Sequence, residues 1–360
     1  MEFGDLVEFT QLGRSGLTVS RLVLGTDNFG TQTTEEDAFQ IMDRAHELGI
    51  NLIDTSDVYG WQFGEGLTEQ IIGRWLSTGG GRRERMVLST KLYGRMSAWP
   101  NDAGLSALHI RRACEASLRR LNTDHIDIYQ MHHIDRSTPW EEIWEAMDIL
   151  KTQGKIVYVG SSNHPGWHIA AGQEAAARRG HLGLVSEQTI YNLLERTAEL
   201  EVLPACAHYG VGMMPWSPLD AGLLGGILRK ERENRMGAPL PGAKVATHRG
   251  KRLIKLDRHR AAVQAFEDLC DELGASPADV AMAWLLGRPG VTAPIIGPRT
   301  LAQLDASTRA FEVNLDDKTL DRLDAIFPGP GPAPTPLSGT SAGDPAAAGR
   351  PPCPDIPGGP

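Results

Sequence analysis

A carboxylate, a phenol, an amine and an imidazole stand at the ends of three consecutive strand-like runs: Asp54 and Tyr59 in NLIDTSDVY, Lys91 in MVLSTK and His132 in IDIYQMH. As a set they suit the addition of a hydride and a proton to a carbonyl. The alkoxide that forms needs a proton donor, and a phenol, with its usual pKa of about 10, donates sluggishly near neutrality. An ammonium at Lys91 is expected to stabilise the phenolate of Tyr59. Asp54 is expected to hold that ammonium charged and oriented, and His132 to donate a hydrogen bond to the substrate oxygen. A lone tyrosine after a strand is more often a packing or turn residue; an acid, an amine and an imidazole at matching strand ends change that reading. Lys91 inside an apolar run would otherwise be a buried charge without a partner. His132 and His133 are adjacent and would point opposite ways on a strand, so no metal is assigned. His133, and Trp61 and Phe63 in YGWQFG, read as walls of a substrate pocket.

Such groups meet only if the strand ends share one face, as in a barrel of parallel strands. Short β-branched runs alternate with amphipathic helical stretches along most of the chain. Thr33 and Glu36 form a capping-box pattern before Ala38, Ile41, Met42, Ala45 and Leu48, with Gly49 as the stop. Thr138, Pro139 and Glu141 open a second helix, and Ser276, Pro277 and Asp279 repeat the start pattern. The candidate strands are RLVLGT, NLIDTS, MVLSTK, IDIYQMH, IVYVGSSN, LVSEQT, GMMPWSP and APIIG, which is the eight that a closed barrel needs. A doubly wound open sheet is the rival, but no GxGxxG follows the first strand. The expectation is an α/β fold, a (β/α)8 TIM barrel over 1–327, with EFTQL-GRSG-LTVS as a β-hairpin capping its bottom. From Pro328 to 360 the chain is rich in Pro and Gly and lacks aromatics, which predicts a disordered tail.

Composition narrows the function classes. The 360 residues carry a formal charge of -9, which disfavours nucleic acid as a partner. No apolar run is long enough to span a membrane and no signal peptide opens the chain, so no membrane partner and a cytoplasmic location are expected. Cys114, Cys206, Cys270 and Cys353 are widely spaced, suggesting neither a disulfide framework nor a zinc site. Residues 220–256 hold nine Lys or Arg against Asp220, Glu231 and Glu233, and a connection of that length reads as a lid, a binding loop or a disordered insert, whose charge could screen phosphates.

With DTSDVYG, STK, YQMHHID, GSSN, SEQT, PWSPL and IIGPRTLAQL in this order, the chain resembles the aldo-keto reductase family from LGRSGLTVSRLVLGT to about Phe327. The resemblance implies that Asp54, Tyr59, Lys91 and His132 are the catalytic tetrad of a carbonyl reductase using NADPH/NADP+. It implies that Ser162, Asn163 and Gln188 bond the nicotinamide carboxamide, and that Trp216 stacks on the ring. Ser217, Leu219, Gly222 and Leu224 would cradle the pyrophosphate. Gly297, Arg299, Thr300 and Gln303 would hold the adenosine phosphate, with Thr26 also among the cofactor contacts. An Arg beside a helix start near Thr300 suits a 2'-phosphate, favouring NADPH over NADH. Three positions depart from the family: Ala306 and Ser307 replace a frequent Glu-Asn, and Asp27 stands where many members have Met or Trp, giving the substrate pocket a polar or acidic wall. The segments WQFGEGLTEQIIGRWL and SSNHPGWHIA are most similar to the bacterial branch that includes reductases of nucleotide-linked keto-deoxyhexoses. A nucleotide-binding regulatory subunit resembling potassium-channel β-subunits is the alternative. An aldolase using Lys91 as a Schiff base is a third, disfavoured if Asp54 keeps that lysine protonated.

Overall fold

A computed structural model describes residues 7–60, 65–233 and 243–331, the side chains of 243–253 excepted. Trp61, Phe63, Cys353 and nearly all of the expected tail therefore lie outside the described residues. All eight strands expected from the sequence form, as β3 (Val23–Gly25), β4 (Leu52–Asp54), β5 (Val87–Leu92), β6 (Ile126–Met131), β7 (Ile156–Ser162), β8 (Leu184–Gln188), β9 (Gly212–Met213) and β10 (Ile295–Ile296). They pair in parallel in the order β10-β3-β4-β5-β6-β7-β8-β9. The amides of Thr292 and Ile295 donate to the carbonyls of Met213 and Pro215, each at 2.8 Å, and join the two ends of the sheet. The fold is a (β/α)8 barrel.

A β-hairpin of β1 (Phe9–Gln11) and β2 (Thr18–Ser20) precedes it, in antiparallel register. Leu12 and Val19 from this hairpin are fully buried with Val23, Leu52, Ile128, Val185, Met214 and Ala293. The hairpin thus plugs the apolar lower half of the lumen. Its turn approaches the barrel so closely that a Cβ on Gly13, at φ +56°, would lie 2.4 Å from the Gly210 carbonyl oxygen, so only glycine fits.

Period-two alternation decides what lies above that plug. Leu52 points into the lumen and Ile53 into the shell beneath the helices, so Asp54 returns to the lumen. By the same count Ile128 faces in, Tyr129 and Met131 face out, and Gln130 and His132 face in.

The connecting helices that bear on the site begin with α1 (Glu35–Glu47). Its cap is Thr34, whose hydroxyl accepts from the Asp37 amide at 3.2 Å, one residue later than the sequence pattern suggests. Thr33 is used instead by the preceding turn, where its amide donates to Asn28 and its carbonyl accepts from Gly30. α2 (Leu67–Ser77) follows β4, α3 (Arg82–Arg85) precedes β5, α4 (Ala107–Leu121) precedes β6, and α5 (Trp140–Thr152) starts after Pro139. Thr138 does not cap α5; its hydroxyl donates to Asp135 at 3.1 Å. α6 (Gly166–Arg178) and α7 (Val202–Tyr209) lead to β8 and β9.

The described residues of the basic 220–256 stretch are largely helical; 234–242 lie outside them. A turn at Asp220–Gly222 and α8 (Ile227–Arg232) come first, and α9 (Ala243–Leu273) starts inside it. α10 (Pro277–Leu286) is capped by Ser276 as expected, and α11 (Leu301–Ser307) and α12 (Asp317–Ile326) are the last helices described. Among the described residues no helix is long and apolar enough to cross a membrane.

Candidate active site

Strand ends in a closed parallel barrel meet at one rim, and the sequence puts polar side chains there. Asp54 closes β4, and its Oδ1 accepts from Ser89 Oγ at 3.1 Å, Gln130 Nε2 at 2.9 Å and Gln188 Nε2 at 3.0 Å. Its Oδ2 takes Lys91 Nζ at 2.5 Å, and the same ammonium donates to the Thr55 carbonyl at 2.9 Å. A buried ion pair is costly unless nearly every lone pair and proton is satisfied. Here the lysine side chain is 0% exposed and its charge is met on two sides, with a third contact to the Tyr59 hydroxyl at 3.4 Å. Tyr59 is carried by a tight turn in which its amide donates to the Ser56 carbonyl at 3.2 Å. His132 follows β6, its amide bonded to the Leu92 carbonyl, and its ring meets Tyr59 edge-on with centroids 5.8 Å apart. Asp54, Tyr59, Lys91 and His132 are thus brought together, with the phenol and imidazole partly exposed at the mouth and the ion pair beneath.

The electrostatics differ from the sequence expectation in one respect. Tyr59 holds its proton more tightly than an ordinary phenol, chiefly because it is buried and further because Asp54, Asp27 and Asp57 lie nearby. Lys91 does not reverse this, since Asp54 offsets part of its charge. Tyr59 therefore stays a neutral phenol, the form that carries a proton to give. Burial lowers His132 to about 3, with the charges of Lys91 and His133 adding, so its imidazole is neutral.

The expected cofactor residues occupy the same rim. Asn163 follows β7 at φ +57°, donates through Nδ2 to the His132 carbonyl at 3.1 Å and to Ser162 Oγ at 3.0 Å, and accepts from Trp216 Nε1 at 3.1 Å. Gln188 joins this set through Asp54, and Thr26 donates to the Asp54 carbonyl at 2.9 Å. Beyond β9, Ser217 takes φ +55° and accepts from the Ala221 amide, Leu219 is half-buried, and a Cβ on Gly222 would meet nothing within 4 Å. Leu224 is different: its side chain is fully buried in the main core and its amide is spent on the Leu219 carbonyl. Beyond β10, Gly297, Arg299, Thr300 and Gln303 are exposed, with Thr300 capping α11. Asp27 is exposed at the mouth, and His133 is exposed and packs on Tyr93 with centroids 5.5 Å apart. The donor set fits a nicotinamide dinucleotide: an indole and amide groups beside the reacting cluster, an open glycine, and an exposed Arg at a helix start.

Of the nine basic residues in 220–256, Arg235, Lys244, Arg249, Lys251 and Arg252 have side chains outside the described ones, and three of the others are already engaged. Lys255 is bound to Glu195 at 2.6 Å and Asp220 at 2.9 Å, Arg229 pairs with Asp271, and Lys230 donates to the Gly225 carbonyl. No group of three or more His, Cys, Asp or Glu able to hold a metal occurs among the described residues.

Sequence reasoning missed Ser89, Gln130 and Ser56. Gln130 was detectable, because it lies two residues before His132 in a strand and must share its face. Ser56 bonds His132 Nδ1 at 3.0 Å across 76 positions of sequence, a contact that only barrel closure creates.

Fold and rim together define a (β/α)8-barrel oxidoreductase. The chain belongs to the aldo/keto reductase family, which residues 21–327 match. It is 52% identical over 330 residues to the uncharacterized oxidoreductase YrpG of Bacillus subtilis, covering 90% of this chain and 97% of that one. It is 32% identical to versiconal hemiacetal acetate reductase of Aspergillus parasiticus, over 90% of this chain and 99% of that protein. It is 33% identical to a probable voltage-gated potassium channel subunit beta of Arabidopsis thaliana, over 89% and 97% of the two chains. Membership places the protein among carbonyl reductases, which generally work with a nicotinamide cofactor.

Proposed function

We propose that the protein reduces an aldehyde or ketone to an alcohol with NADPH, and that Tyr59 supplies the proton. The observation that carries this reading is the Asp54–Lys91 pair at 2.5 Å, lying beneath a neutral phenol 3.4 Å from the ammonium. When bound, the reduced nicotinamide supplies the hydride to the carbonyl carbon. Tyr59 gives its hydroxyl proton to the carbonyl oxygen, and Lys91 stabilises the phenolate left behind until it is reprotonated from solvent. His132, neutral, holds the carbonyl oxygen by a hydrogen bond. Ser162, Asn163 and Gln188 orient the carboxamide and Trp216 covers the ring. Ser217, Leu219 and Gly222 line the pyrophosphate path, and Arg299 with the start of α11 favours a 2'-phosphate. The partner is a small carbonyl compound, met in the cytoplasm; nucleotide-linked keto-deoxyhexoses are the first class to screen.

The experiment is turnover and NADPH binding for Tyr59→Phe. Reduction should fall at least a hundredfold, the lower range for loss of a general acid, with nucleotide binding retained. Wild-type turnover in the variant would overturn the assignment. A second reading, a nucleotide-binding regulatory subunit, draws on the similarity to the Arabidopsis potassium channel subunit beta. Absence of NADPH oxidation with a panel of reactive aldehydes and keto-sugars, alongside intact binding, would favour it.

A further inference from the structure

We infer that Ser56 is a positioning residue that fixes the tautomer of His132, placing the ring proton on Nε2 at the mouth. The inference rests on the role proposed above for His132, but its test does not depend on turnover.

A hydroxyl has one proton and two acceptor lone pairs. Ser56 Oγ, in a residue that is 0% exposed, has four polar neighbours: His132 Nδ1 at 3.0 Å, Asp57 Oδ1 at 3.2 Å, the Lys91 carbonyl at 3.4 Å and the Val58 amide at 3.4 Å. The amide can only donate, which fills one lone pair. Asp57 decides the other. Its side chain is 0% exposed, and its Oδ2 has no hydrogen-bond partner. A carboxylate so placed would lack most of the donors that an anion needs, whereas a neutral acid leaves only one weak acceptor unmet. Burial, the largest influence, and the nearby Glu69 carboxylate favour the neutral acid, against the opposing Arg120 and the weaker bonds from Ser56 and the Val58 amide. As a neutral acid Asp57 donates through Oδ1 into Ser56 Oγ. Both lone pairs are then occupied, and the hydroxyl proton goes to its nearest acceptor, His132 Nδ1.

The imidazole is neutral, so its single N–H must then sit on Nε2, across the ring from the buried Nδ1 and toward the partly exposed mouth. This is the only tautomer that can donate to a carbonyl oxygen. An ionised Asp57 would reverse the chain: the serine would donate to the carboxylate and accept from Nδ1–H, leaving Nε2 a lone pair that repels the substrate oxygen. The short aspartate-serine pair after β4 thus chooses between a useful and a useless histidine.

Long-range proton–nitrogen correlation spectra of the protein labelled with 15N-histidine report the tautomer directly. His132 is assigned by its absence in His132→Gln. The wild type and Asp57→Asn, whose amide also donates to Ser56, should show the Nε2–H pattern alone. Ser56→Ala should add cross-peaks of the other tautomer. It should also lower kcat by roughly fivefold, the usual worth of one hydrogen bond, with the Kd for NADPH unchanged. An Nδ1–H pattern in the wild type overturns the inference whatever the variants do, as does an unchanged pattern in Ser56→Ala. If the protein proves not to reduce carbonyls, the spectra still decide the tautomer; if the tautomer is wrong, turnover of the wild type still decides the reductase reading.

Discussion

Replacing Lys91 by Met tests the ion pair as both a structural and a chemical device. The substitution keeps the side chain's length and removes the charge. Asp54 retains its three donors on Oδ1 but loses its Nζ partner on Oδ2, in a residue 2% exposed. Breaking one side of a buried pair costs about 3–5 kcal/mol of stability. The chemical effect is separate. A unit charge 3.4 Å from the phenolic oxygen is worth about 5 kcal/mol at an effective dielectric of about 20. Asp54 cancels part of that, leaving about 2–3 kcal/mol for the phenolate, or roughly 30-fold to 150-fold in kcat. The companion variant is Asp54→Asn with Lys91→Met, which leaves no buried charge and keeps an acceptor for Ser89, Gln130 and Gln188. Urea unfolding should show most of the lost stability restored in the double variant, while NADPH oxidation stays as low as in the single one. Turnover within threefold of wild type in Lys91→Met, or activity recovered along with stability, would refute the reasoning.

Two further outcomes follow from the rim and the barrel wall. Arg299→Met, at an exposed guanidinium beside the start of α11, should weaken NADPH binding by about tenfold or more and leave NADH unchanged. Fluorescence titration with both nucleotides checks this, and equal losses would remove Arg299 from phosphate recognition. Glu187 is held at about 8 by burial, above its usual 4.5, against the opposing bonds from Ser161 and the His164 amide. The unfolded chain therefore releases this proton at lower pH than the folded one, so Glu187 costs nothing below about pH 4.5 and progressively destabilises up to about 8. The stability advantage of Glu187→Gln should grow across that window, by at most about 1.4 kcal/mol per pH unit, and then level off. Unfolding curves at a series of pH values that run parallel would contradict it.

What the sequence discloses and what it hides divides along the barrel axis. Alternation within each strand is local, so the eight strands, the hairpin plug and the strand-end positions of Asp54, Lys91 and His132 can all be read from runs of about six residues. Gln130 belongs with them by the same parity. Cap positions are less legible, because neighbouring turns compete for the same residues: the backbone of Thr33 and the hydroxyl of Thr138 are taken by turns, and Thr34 and Pro139 stand at the helix starts instead. Charge is least legible. Lys91 looks like a cation aimed at a phenol, and Lys255 and Arg229 look like free cations of the basic stretch, until the fold brings Asp54 to the first and Glu195 and Asp271 to the others.

The same division explains why the site needs so many neutral partners. Its floor is the apolar layer of Leu52, Ile128, Val185 and the hairpin's Leu12 and Val19, which screens poorly and offers no hydrogen bonds. Every charge placed on that floor must be answered within about 3 Å by a group on a neighbouring strand, as Ser89, Gln130 and Gln188 answer Asp54. A polar ring so constrained has few freedoms left, and the hydroxyl proton of Ser56 is one of them. Its direction follows from whether Asp57 keeps its proton, which is why the orientation of the reacting imidazole is set from the barrel wall and not from the open rim.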